Sequence, residues 1–247
     1  MSHFNTQAKL YAEYRPDYPP ELFEFIAKAA SGHECAWDCA TGNGQAAAGL
    51  AKHFSRVIAT DISAEQIAQA KPHPKIEYLV APAERSGLPN RSADAVTITQ
   101  ALHWLDIPRF YEEVRRVSKP GGVFVATVYS DPVLDDLAAD RILRHYNKEV
   151  VGPFWPPERK LVDESYTSIP FPFERLPAPE LTMERSWSLP ELAGYLRSWS
   201  ATVRYVKQNT VDPVTQFEAE MQAIWSDPKE LRRLHWPFTV RAGRVVA

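Results

Sequence analysis

The side chains best suited to chemistry gather around one short stretch, WDCATGNGQAAAGLA at residues 37–51. Asp38 ends an apolar run, Gly42 and Gly44 bracket a tight turn, and a helix of small residues follows. A second carboxylate, Asp61, closes the next apolar run. In an open α/β sheet, ligands lie beyond the carboxyl ends of the strands, where small residues let the backbone approach them. Two ligand chemistries compete for this pattern. Gly42-Asn43-Gly44-Gln45-Ala46-Ala47 fits the G-x-G-x-x-A fingerprint for a dinucleotide, with Asp61 near the ribose-binding offset. A sulfonium ligand, S-adenosylmethionine, has no diphosphate and carries a cationic methionine end. The carboxylate of Asp38 suits a cation and repels a diphosphate, which favours the sulfonium. His103 and Trp104 sit where a fourth strand turns into a helix, and His103 is the best-placed base should the reaction need one. The other histidines lack metal-ligand spacing, so no metal is expected.

The elements that must hold these residues follow from hydrophobic periodicity. Helices are predicted over 21–30, 44–54, 63–70 and 107–118, with Ser63 capping the third. Strands are predicted over 34–40, 56–61, 76–81, 93–100 and 121–130. In the first helix Leu22, Phe25, Ile26 and Ala29 share one face. Such alternation predicts an α/β fold with a parallel sheet covered on both faces. Residues 1–130 are read as a ligand-binding core with an N-terminal covering helix. Residues 131–247 would complete the sheet and carry a lid and acceptor-pocket elements, within one domain overall.

Past residue 130 the composition shifts. Eight of the 21 prolines fall between Pro153 and Pro190, a density that excludes a central strand and predicts loop, edge strand or a mobile lid with too few apolar periods for core. Helices are predicted at 188–208 and 216–234 and a closing strand at 235–247. The chain has 247 residues, 45% of them hydrophobic, and a net charge of −3 without a basic block, which argues against nucleic acid and for a small-molecule partner. No apolar run approaches the ~20 residues of a membrane span, and the N-terminus lacks a signal-like core, so a cytoplasmic protein without membrane contact is expected. Cys35 and Cys39, roughly 13 Å apart at strand rise, are too distant for a disulfide and read as small core residues.

In order along the chain, DCATGNGQ, ATDIS, APAERSGLP, SADAVTITQALHWLD and VSKPGG resemble the motif set of class I S-adenosylmethionine-dependent methyltransferases of the small-molecule type (methyltransferase domain 11). YAEYRPDYP, QALHWLD and SWSLPELAGYLRSWSA are similar to trans-aconitate methyltransferase-like proteins. The resemblance implies that Asp38, Ala40, Thr41, Gly42 and Gly44 line the methionine portion and that Asp61 takes both ribose hydroxyls. Ile62 would lie on the adenine face and Gln66 near the ribose or adenine edge. Ala83 would offer its N–H to the ring and Glu84 would take the amino group, since the usual aspartate of that pair is replaced by Pro82. Ala40 stands where relatives carry glycine; its methyl is compatible with a φ below zero. Gln100 and Ala101 would complete the cofactor wall. Arg15 would fork the cofactor carboxylate with Tyr14 closing over it, or both form a surface turn before Pro16.

Tyr195, Arg197 and Trp199 would contribute an acceptor pocket, Arg197 either orienting an acid or lying on a solvated helix face. A carboxylate acceptor is ionised at pH 7 and needs no base, whereas a hydroxyl or amine would call on His103. The likeness to enzymes that esterify acids has His103 and Trp104 shape the pocket. The resemblance implies a Rossmann-like, doubly wound, seven-stranded mixed sheet and methyl transfer to a small molecule, a carboxylic acid being the candidate acceptor, by a monomer or weak homodimer. The alternative is a non-catalytic cofactor-binding or regulatory protein.

Overall fold

The computed structural model describes residues 16–246. The chain forms two compact units. The larger comprises Asp17–Ser130, Lys160–Thr182 and the residues from Phe238 onward. Helix α1 (Pro20–Ala29) precedes β1 (Cys35–Cys39), α2 (Gln45–Leu50), β2 (Arg56–Asp61), α3 (Ala64–Ala68) and β3 (Ile76–Val80). Next come β4 (Ala93–Thr99), α4 (Ile107–Val117) and β5 (Ser118–Tyr129). The parallel strands run in the order β3-β2-β1-β4-β5. The chain returns in β9 (Arg232–Arg244), antiparallel to β5, and β7 (Glu174–Leu176) pairs antiparallel with β9. The larger unit therefore holds the seven-stranded mixed sheet expected of the fold. Strand order reverses at β1, so the loops after β1 and β4 part there and leave a crevice.

Two apolar layers sandwich the sheet. Trp37, Ile58, Val96, Ile98 and Phe124 face α4, and Ala36, Val57, Ala59, Ala95 and Val125 face α1 and α2. The face that α1 buries is Leu22, Phe23, Ile26 and Ala27, rotated from the expected set; Phe25 and Ala29 are only partly covered. Phe23 explains the rotation, because its ring fills the space a side chain at Gly49 would occupy, so α1 and α2 meet closely. Both cysteines are free and buried, and burial pushes the Cys39 thiol well up.

The proline-rich stretch corrects the expectation that it has too few apolar periods for core. Val162, on α6 (Arg159–Asp163), and Tyr166, Ile169 and Phe173 after it are buried in the α4-side layer. An irregular segment buries its backbone only if its carbonyls find partners. Here side chains supply them. Tyr111 Oη donates to Pro170 O at 2.9 Å, Arg115 Nη2 to Pro172 O at 3.2 Å, and Arg241 to the carbonyls of Tyr166 and Ile169.

The smaller unit includes Asp131–Arg159 and Met183–Pro237. It holds β6 (Val133–Leu134), α5 (Leu137–His145), most of β8 (Leu181–Trp187), α7 (Leu189–Arg197), α8 (Ser200–Asn209) and α9 (Pro213–Gln222). The single helix predicted at 188–208 is two, because Trp199 is extended between them. Ser188 and Glu191 form a capping box at the start of α7. The helix predicted to 234 stops at Gln222, and Trp225, its Nε1 held by Glu230 O, buries itself under Arg232. No helix among the described residues is long and apolar enough to cross a membrane.

Candidate functional site

The residues singled out at the glycine turn converge at the carboxyl ends of β1, β2 and β4. Asp38 pairs in register with Ala59 on one side and Thr97 on the other, and its carboxylate is fully buried. Thr97 Oγ1 donates to it at 2.9 Å and Thr41 Oγ1 at 2.5 Å. Asp38 thus ties the turn to the sheet. Among the described residues no basic group pairs with it, and burial raises its pKa from 3.8 to about 6 despite the two hydroxyls.

The turn is built on left-handed backbone. Ala40, Gly42 and Gly44 have φ of 51°, 58° and 88°. The expectation that Ala40 keeps φ below zero is corrected: the turn demands the left-handed region there, at a cost of about 1–2 kcal/mol for a residue with a Cβ. Gly44 is required twice over, since a methyl there would also fall 2.5 Å from the Tyr78 hydroxyl oxygen. At Gly42 a side chain would meet only Gln66 Oε1, at 3.8 Å, so this glycine leaves open space over the turn. Tyr78 was not foreseen. Its phenol, pushed up by burial and then by Asp38, stands behind the turn from β3, a placement fixed by the pairing of Ala59 with Tyr78.

Asp61, half-buried at the end of β2, accepts from Gly42 N at 2.8 Å and from Ser63 N at 2.9 Å. Ser63 then caps α3 by accepting from Gln66 N. Each Asp61 oxygen keeps lone-pair capacity for one further donor. Ile62 beside it is 76% exposed, and Val80, paired with Asp61 across β2 and β3, is 58% exposed. Ile62 and Val80 thus leave an exposed aliphatic shelf at adjacent strand ends; Val80 is the member that sequence periodicity missed. Ala83 is buried in the core, while Glu84 accepts from Asp106 N at 3.0 Å and so pins the start of α4.

After β4 the backbone turns through Gln100 at φ 55°. The Gln100 side chain donates to Tyr129 O at 3.0 Å and accepts from Tyr129 N at 2.7 Å, which occupies its amide with the end of β5. Half-buried Ala101 leads into a 3₁₀ turn, Leu102–Trp104. His103 is buried, its Nδ1 2.7 Å from Tyr166 Oη, and its ring lies 4.7 Å from that of Trp104, which is 54% exposed. Tyr166, which sequence reasoning also missed, stands 63 positions away at φ 60°.

Three other candidates belong to the smaller unit. Tyr195 and Trp199 are buried in its aromatic core, where Tyr195 Oη accepts from Trp236 Nε1 at 3.2 Å. Arg197 donates to Asp212 at 2.8 Å and Glu218 at 2.7 Å, so two carboxylates already balance its charge. Tyr14 and Arg15 lie outside the described residues.

Comparison with known proteins bears on the same elements. A family model described as a methyltransferase domain matches residues 37–126, which run from β1 into β5. A Dictyostelium discoideum protein named as a methyltransferase is 31% identical over 218 residues, covering 87% of this chain and 83% of its own length. A solved structure from Anaeromyxobacter dehalogenans, described as a type II methyltransferase, matches at 40% identity with a TM-score of 0.88, over 94% of this chain and 99% of that one. A fold likeness also extends, at 14% identity and a TM-score of 0.50, to a Haemonchus contortus phosphoethanolamine N-methyltransferase solved with phosphomonomethylethanolamine and S-adenosylhomocysteine; it covers 98% of this chain and 58% of that one.

Proposed function

Because the chain belongs to the methyltransferase family, we propose that it uses S-adenosylmethionine to methylate a small molecule that carries a carboxylate. One observation carries the choice of cofactor: Asp61 at the β2 end, its carboxylate braced by two backbone N–H groups with lone pairs to spare, beside the exposed shelf of Ile62 and Val80. A carboxylate of that kind takes both hydroxyls of a ribose, and the shelf suits the face of a purine. The turn fits as well. Gly42 leaves space above the backbone, and Asp38 is a buried carboxylate that lacks a cation among the described residues and gains from one nearby.

When bound, the cofactor supplies a methyl group activated by positively charged sulfur. The chain's part is positioning and exclusion of water. Asp61 and the turn fix the ligand against the sheet, Trp104 offers exposed apolar surface next to His103, and the nucleophilic atom must be held roughly 3–3.5 Å from the methyl carbon and in line with it. A carboxylate nucleophile is ionised at neutral pH and asks no residue for proton transfer. Supporting the acid as acceptor is the similarity of QALHWLD to proteins of the trans-aconitate type.

The test is incubation with methyl-labelled cofactor and a panel of small acids, phenols and amines, with calorimetric titration alongside. Cofactor binding with turnover of an acid is the expected result. Binding without turnover of any member would favour a non-catalytic cofactor-binding protein, and turnover of amines or phenols alone would overturn the choice of acceptor.

A further inference from the structure

The chain leaves β4 at Gln100 in an uncommon way. Gln100 N still donates to Thr127 O at 2.9 Å, as the parallel ladder between β4 and β5 requires. If that ladder continued, its next two rungs would join Tyr129 N to the main-chain carbonyl of Gln100 and the main-chain N–H of Leu102 to Tyr129 O. Instead the backbone of Gln100 turns to φ 55° and its side chain makes both bonds. Oε1 accepts from Tyr129 N at 2.7 Å, and Nε2 donates to Tyr129 O at 3.0 Å. One planar amide therefore closes the end of β5 and releases the main chain from the sheet.

The released segment is the 3₁₀ turn Leu102–Trp104. Leu102 is fully buried, Trp104 N donates to Ala101 O at 3.0 Å, and Asp106 N at the far end is held by Glu84. Between these anchors Trp104 stands 54% exposed, its ring 4.7 Å from that of His103. A residue with a Cβ keeps left-handed backbone where its surroundings enforce it, and glutamine is not among the types that favour that region. The pair of bonds to Tyr129 does the enforcing here. Few side chains could make both: glutamate has no donor for Tyr129 O, and asparagine is one methylene shorter.

We infer that Gln100 is a positioning residue for the acceptor face of the site: its amide, committed to the end of β5, sets the course of the chain that carries Trp104. This replaces the expectation that Gln100 lines the cofactor wall. Methyl transfer needs the nucleophile held in line with the methyl carbon, so a displaced wall on the acceptor side costs rate even where the cofactor is bound as before. The inference rests on the proposed function for the identity of the reaction, whereas the placement of Trp104 by Gln100 is tested without any acceptor.

Fluorine spectroscopy of protein grown on 5-fluorotryptophan gives a signal for each of the seven tryptophans, that of Trp104 being identified by its loss in Trp104→Phe. Gln100→Asn is the informative variant, because asparagine adopts left-handed backbone more readily than glutamine yet is too short to make both bonds. The Trp104 signal should move in Gln100→Asn and in Gln100→Glu, while that of Trp37, buried in β1, holds. Calorimetry should show affinity for S-adenosylhomocysteine within about threefold of the wild type, and kcat/KM for the acids that the wild type methylates should fall about tenfold or more. An unmoved Trp104 signal in a folded Gln100→Asn protein would overturn the inference, since backbone preference alone would then set the turn. A larger loss of S-adenosylhomocysteine affinity would also overturn it and return Gln100 to the cofactor wall, as would unchanged kcat/KM in a variant whose Trp104 signal has moved. The wild type offers a check that needs no variant to fold: the side-chain amide of Gln100 should exchange with deuterium more slowly than those of exposed glutamines, and equal rates would rule out the clamp. Absence of methyl transfer to the whole acid panel would count against the proposed function and leave the fluorine result intact.

Discussion

Replacing Asp38 by asparagine should make the protein more stable and a poorer binder, and the stability gain should depend on pH in a defined way. The carboxylate is fully buried, and its pKa is raised from 3.8 to about 6, chiefly by loss of hydration. A raised acid pKa means that the folded state holds the proton more tightly than the unfolded one, so stability falls as pH rises between those two values and stays reduced above them. The shift corresponds to about 3 kcal/mol of penalty at neutral pH, at ~1.4 kcal/mol per pKa unit, of which little is present at pH 4. Asparagine fills the same space without the charge. Its oxygen can accept from Thr41, and its amide can donate to Thr97 Oγ1, whose proton then turns to Trp37 O, 3.4 Å away. Urea unfolding at pH 4 and pH 7 should therefore show a stability difference between variant and wild type that grows by about 2–3 kcal/mol across that interval. Calorimetry should show cofactor affinity lowered about tenfold or more, since the buried charge that favours a cation is gone. A stability difference that is flat or shrinks with rising pH would refute the reasoning about burial. Unchanged affinity in the folded variant would refute the electrostatic role.

Other outcomes follow from the same geometry. Ala40→Gly should raise unfolding free energy by roughly 1 kcal/mol, because relief of the left-handed backbone exceeds the added chain entropy of glycine; thermal denaturation measures it. Asp61→Ala should cost about 2–4 kcal/mol of cofactor affinity while the protein stays folded, and calorimetry with unaltered binding would count against the ribose role. His103→Asn should keep substantial activity with a flat rate profile between about pH 6 and 8; a loss on the order of 10²-fold with cofactor affinity preserved would establish base catalysis instead.

Much of the glycine-turn side of the candidate site was legible in the sequence because it is local. The alternation that places β1, β2 and β4, the glycine turn after Asp38, and Asp61 capping the next loop are patterns within a few residues of one another, and backbone geometry over such spans follows from residue type. The helix ends were read less well, since Trp199 breaks a continuous amphipathic pattern and Trp225 leaves one in order to be buried.

Sequence alone determined the chain of alternating elements and the acidic residues at their strand ends, because hydrophobic period and turn chemistry act between near neighbours. Tertiary structure decided the rest. Ala40 takes a backbone that its residue type disfavours because Asp38 and the strand beneath hold the turn. Tyr78 comes to Gly44 only through the register of β3 on β2, and Thr97 reaches Asp38 from 59 positions away only through the pairing of β4 with β1. Tyr166 meets His103 because a proline-rich segment finds side-chain partners for carbonyls that no ladder serves. Nothing in a residue's immediate neighbours encodes such a partner, since its selection depends on which surfaces remain to be covered once the sheet has formed.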